Sequence, residues 1–156
     1  MRLFFIAPTL LAVAHAQGVI TSAQGSKGSP ASLGLQVDLT KADANVINAN
    51  EVATNVVNEC GRTLLAGNID IGTVTEAALS AKQVTSVTKG STMSITIKAL
   101  DANGAGPYTC DVDQTSNASG TSGQVPLTVK ETDTSANGDI TLAVTMPKDL
   151  ACIGGL

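Results

Sequence analysis

The chain alternates apolar and polar side chains with a period of two in three places, which puts the apolar groups of each stretch on one face of a β-strand. In STMSITIKAL, Met93, Ile95, Ile97 and Ala99 face one way, and Thr92, Ser94, Thr96 and Lys98 the other. In DITLAVTM the inward set is Ile140, Leu142, Val144 and Met146; in QVPLTVK it is Val125, Leu127 and Val129. Pro126 has no amide donor, so that third stretch belongs at a sheet edge. Shorter strands are expected at 19–21, 35–37 and around Ile69, with short helices at 50–59 and 74–82, the second on the alanine-rich propensity of VTEAALSAK.

The stretches between them, QGSKGSP, DANGAGP, QTSNASGTSG and ETDTSANG, carry the glycine, asparagine and aspartate that sharp reversals need. Short strands separated by such turns, with few helices and no internal repeat, predict an all-β fold. The expected architecture is a β-sandwich, with immunoglobulin-like two-layer antiparallel sheets, one or two short helices and a core of Val, Ile, Leu and Ala. Asn117-Ala118-Ser119 meets the N-glycosylation rule inside one of the loops, making Asn117 the candidate acceptor.

The amino terminus breaks the strand pattern. Arg2, an apolar run over 3–13 and small residues at alternate positions have the layout of a secretory signal peptide, and the run is too short to span a bilayer. The favoured cut follows Ala16 and the alternative follows Ala14, so residues 1–16 are read as signal and 17–156 as one secreted, extracellular domain. On the favoured cut Phe4, Phe5 and His15 leave, and thirteen acidic residues remain against eight basic ones, about −5. An acidic surface repels phosphate backbones and anionic headgroups, so neither nucleic acid nor a membrane is an expected partner.

Loss of His15 removes the only imidazole, and with it Ser-His-Asp and Cys-His nucleophile systems and the usual zinc sets. Asp111 with Asp113, and Asn68 with Asp70, share strand faces and could hold calcium or act as acid and base; the period-two geometry favours the solvated face of a half-buried strand. No catalytic, cofactor-binding or metal-ligating residue is therefore assigned, and no cofactor is expected. The alternative cut would make His15 amino-terminal, where amine and imidazole chelate copper as in oxidative polysaccharide enzymes, though a second histidine is lacking.

Export also implies an oxidising destination, where Cys60, Cys110 and Cys152 are disulfide candidates; three cysteines leave one thiol over, which allows disulfide-linked species. Tyr108, the only tyrosine, stands two residues before Cys110 behind a glycine-rich turn. That is the spacing of the corner tyrosine of immunoglobulin-type sandwiches, whose ring enters the core. The functional alternative is an exposed ring that stacks on a ligand.

Four segments taken together, GVITSAQGSKGSPASLGLQVD, NVVNECGRTLLAGNIDIG, GAGPYTCDVD and MPKDLACIG, resemble the fungal appressorium-specific secreted virulence factors, the Egh-type family of powdery mildews and other pathogenic fungi. The resemblance implies a small secreted protein of infection structures, linked to host penetration, without an established enzymatic activity. It also implies that Cys60 pairs with Cys110 and that Cys152 has lost its partner, because members continue into a cysteine-rich tail where this chain stops at Leu156. Gln17 stands where members carry a histidine before Gly-Val-Ile, and the stretch between Asp38 and Asn55 lacks a cysteine often seen there. The expectation is a non-enzymatic virulence protein that meets a host or fungal wall or surface component during appressorium-mediated penetration. The rivals are a copper-binding or oxidative polysaccharide-type protein and a structural cell-wall component.

Overall fold

The structure, a computed structural model, describes residues 18–35, 45–63, 65–99, 107–115, 123–134 and 138–153. Residues 1–16, expected to be a signal peptide, Asn117 and most of the expected 35–37 strand lie outside the described residues. In chain order the elements are β1 (Gly18–Gln24), β2 (Asn45–Val46), α1 (Ala49–Ala53), β3 (Arg62–Thr63), β4 (Gly67–Asn68), α2 (Ile71–Ser80), β5 (Thr92–Ala99), β6 (Asp111–Asp113), β7 (Gln124–Pro126), β8 (Thr128–Thr134) and β9 (Asp139–Thr145). All strand pairs are antiparallel. The fold is all-β with two short helices.

The main sheet has the order β1-β5-β9-β8. β5 and β9 are the two inner strands, and register aligns their inward residues: Ile97 opposite Ile140, Ile95 opposite Leu142 and Met93 opposite Val144. Ile97, Ile140, Leu142, Val144, Met146 and Leu150 form the buried core, and Val144 is fully inaccessible. The polar residues of β5 point away, as period two requires. Tyr108, Cys110, Val112 and Leu127 pack onto this core from the opposite layer. That layer is a two-stranded ribbon, β6-β7, smaller than the full second sheet of an immunoglobulin-type sandwich.

A separate three-stranded sheet, β2-β3-β4, carries α1 and leads into α2. Around it Val57, Thr63 and Ile69 are buried. Val19 pairs with Lys98 on the outer face of the main sheet, yet is only 2% exposed, because it stands beside this small sheet in a shared cleft.

Both edge strands of the main sheet are bulged at a threonine. Thr21 is the extra residue of β1 and donates its hydroxyl to the Thr96 carbonyl at 3.3 Å; Thr132 is that of β8 and donates to the Thr141 carbonyl at 3.1 Å. Segment 32–34 also covers the free side of β1, through the paired backbone bonds of Ala23 with Ser32 and the Gly34 amide on the Ile20 carbonyl. Gly25 lies so close to the loop after α2 that a Cβ there would stand 2.1 Å from the Ser86 carbonyl oxygen.

The elements differ from the expected ones where capping and proline act. Asp70 accepts the Thr73 amide at 3.0 Å and starts α2 three residues earlier than its alanine-rich stretch; Lys82 at φ 55 ends it. α1 stops at Ala53 because Asn55 is left-handed at φ 55, so the expected helix to residue 59 becomes a turn. QVPLTVK is two strands. Pro126 is the last residue of β7, the Leu127 amide adds one more rung to the same ladder on the Cys110 carbonyl at 2.9 Å, and from Thr128 the chain joins β9 as the edge strand β8. β8 also runs to Thr134, through residues that read as a turn.

Leu142→Ala should lose about 3 kcal/mol of unfolding free energy in urea titration, because the fully packed inner strand cannot collapse around the missing atoms. Lys130→Ala, an exposed edge position, should stay within about 0.5 kcal/mol of the parent.

Candidate functional site

The chemistry-bearing residues gather where the turn at 58–61 meets the β6-β7 ribbon. Asn58 builds the turn: its Oδ1 accepts the Cys60 amide at 2.9 Å, its Nδ2 donates to the Ile69 carbonyl at 2.7 Å, and its carbonyl takes the Gly61 amide at 3.0 Å. Gly61 closes it at φ 77. This fixes Glu59 facing the ribbon, where the Gln124 side-chain amide donates to Glu59 Oε1.

The ribbon brings acids to the same place. Asp113 pairs with Gln124 and Asp111 with Pro126. Asp113 is held by its own turn, since its Oδ1 accepts the Thr115 amide at 2.8 Å and the Thr115 hydroxyl at 2.7 Å. Gly123, at φ 89, sits against that bond; a Cβ there would be 2.4 Å from Thr115 Oγ1. Burial first, then the carboxylates of Asp113 and Asp111, push Glu59 from the usual 4.5 up to about 7. The nearest basic side chain on the strand that follows, Arg62, is committed elsewhere, to Glu51 at 2.8 and 3.0 Å.

Glu59 and Cys60 also wall a cleft of about 250 Å³ between β1 and the small sheet, whose apolar lining includes Val19, Ile20, Leu33, Leu35 and Ile47. Leu33 and Ile47 are 48% and 51% exposed at its rim. Asn45 lines it as well and donates to the Leu35 carbonyl at 3.4 Å, while its Oδ1 is buried without a partner.

Tyr108 and Cys110 are on one face, with Thr109 exposed between them, and both pack on the main core. Burial, and then the charge of Glu131, raise the Tyr108 phenol above its ordinary value. Glu131 pairs with Leu142 and so sits on the apolar side of the edge strand, next to the ring. Asp70 has the capping role given above, and Asp111 is exposed.

The three cysteines are free thiols, so the implied Cys60–Cys110 bridge is not formed in this structure. The two side chains serve different surroundings: Cys110 packs against the main core, and Cys60 lines the cleft. Burial raises both thiols, with Glu59 adding to Cys60 and Asp111 to Cys110. Cys152 is exposed, and the amide of the next residue, Ile153, donates to the Gln114 carbonyl at 2.8 Å, which ties the carboxyl-terminal segment to the end of β6. Among the described residues no group of three or more His, Cys, Asp or Glu is arranged to hold a metal, and no helix is long and apolar enough to cross a membrane.

A model of the Egh16-like virulence factor family matches residues 15–156. The chain belongs to the Egh16-like virulence factor family. The match runs through all four segments on which the resemblance rests, and it supports a virulence-associated role. No curated protein and no solved structure matches the chain. Within this family member, Glu59 is the group that sequence reasoning passed over. NECG has no periodicity and no motif, and the ribbon that perturbs Glu59 lies more than fifty residues away in the chain.

Alkylation with iodoacetamide at pH 7.5 should label Cys152 roughly tenfold faster than Cys60 or Cys110, since burial both shields those two and disfavours their thiolates. Peptide mapping by mass spectrometry gives the order directly.

Proposed function

We propose that the protein is exported by the fungus and acts outside the cell, at the host surface during penetration, by binding and not by catalysis. The observation that carries this reading is the family match over 15–156, joined to an amino terminus with the layout of an export signal. The apolar cleft with Leu33 and Ile47 exposed at its rim gives such a protein a surface on which a host or wall component can dock. Tyr108 acts as a structural corner on this reading, its ring committed to the core. Deletion of the gene in a strain without a compensating paralogue should lower the frequency of host penetration, scored by microscopy. Unchanged penetration contradicts the role.

A second reading has one observation in its favour. The family match begins at His15, the residue that the cut after Ala14 would place at the amino terminus. A chain starting there offers an amine and an imidazole to copper. Intact-mass measurement of the secreted protein separates the two: a chain starting at Gln17 is the expected result, and one starting at His15 transfers the case to a copper titration.

A further inference from the structure

β1 starts at Gly18, so Gln17 is the residue next to the first rung of the main sheet. Gly18 stands in register opposite Ala99, and Val19 pairs with Lys98 and is 2% exposed beside the small sheet. β1 is an edge strand, held by β5 on one side and by segment 32–34 on the other. With the cut after Ala16 that the export reading favours, and on which this inference rests, Gln17 becomes the amino-terminal residue. Export then leaves one residue ahead of the ladder, and its type decides the chemistry of the terminus.

An amino-terminal glutamine carries a nucleophile and an electrophile in one residue. Its α-amine titrates only a little above neutral, so part of it is an unprotonated nucleophile at neutral pH. That nitrogen attacks Cδ of the side-chain carboxamide, and the new N–Cδ bond closes a five-membered ring. The Cδ–Nε2 bond breaks, and Nε2 leaves as ammonia with the proton that the amine gives up. No electrons change hands, so no oxidant or reductant is required. Every atom of the ring belongs to Gln17, and closure therefore leaves the Gly18–Ala99 rung and the rest of β1 as they are. Gly18 puts no side chain beside the reacting centre.

We propose that Gln17 is a modification site, cyclised to pyroglutamate in the exported protein, and that the ring seals β1 against exopeptidases. The lactam has no free amine, so the terminus loses its positive charge and an aminopeptidase finds no α-ammonium to bind. The seal matters because of where the strand lies. Stepwise removal of Gln17, Gly18 and Val19 from an open terminus would take away the first two rungs on β5 and a buried side chain beside the small sheet.

The test uses the whole secreted protein, freshly collected from culture fluid and acidified at once to stop later ring closure. Tandem mass spectrometry of the amino-terminal peptide should give a chain that starts at residue 17 and has lost one ammonia from Gln17. Edman degradation should give no sequence until pyroglutamyl aminopeptidase has acted on the unfolded chain, and should then read Gly-Val-Ile-Thr. Gln17→Ser, which leaves β1 unchanged, should read from serine directly, and a broad-specificity aminopeptidase should shorten it while leaving the parent intact. An unblocked Gln17 overturns the proposal and leaves the export reading standing; a first residue other than 17 overturns the proposal together with the cut after Ala16. A blocked Gln17→Ser chain assigns the block to another modification and overturns the ring. An open Gln17→Ser chain that resists the aminopeptidase overturns the seal.

Discussion

The rest of the molecule leans on the contact between β5 and β9. The chain has two phenylalanines, both near the amino terminus, one tyrosine and no tryptophan, and among the described residues the buried core has no ring at its centre. It relies on facing aliphatic rows, in which Ile95, Ile97 and Met93 meet Leu142, Ile140 and Val144 in register. A slip of one residue would turn every one of those groups to the opposite face, so hydrophobic pattern and register enforce each other. The ribbon, Tyr108 and the carboxyl-terminal Leu150 take their positions from the apolar face that this pairing creates.

That dependence explains what could be read from the chain and what could not. The inner strands, their faces and the antiparallel all-β class are legible because period-two alternation is local and unbroken in STMSITIKAL and DITLAVTM. Tyr108 and Cys110 share a face for the same local reason. The split at Pro126 was only half legible: the missing donor signalled an edge, but the change of partner from β6 to β9 comes at Thr128, and both partners are distant in sequence. The helix bounds moved because single side chains, Asp70 and Asn55, overrode propensity. Glu59 was illegible, because its surroundings exist only once the ribbon is folded against the 58–61 turn.

The acids of β6 illustrate how one pair of residues can have several duties. Alternation places Asp111 and Asp113 on the side away from Val112, which is the reading expected for a half-buried strand. Tertiary structure then uses Asp113 to close the ribbon turn, and the two acids add to burial in raising the Glu59 carboxyl.

The two bulged threonines have a consequence for crowding. A sheet protein at high concentration meets other copies of itself, and a regular strand border invites strand-by-strand growth. At each border a hydroxyl tied to the neighbouring carbonyl twists the backbone out of line, and Glu131 adds a charge on the inner side. The four-stranded sheet thereby presents no regular ladder at either border for a further copy to extend.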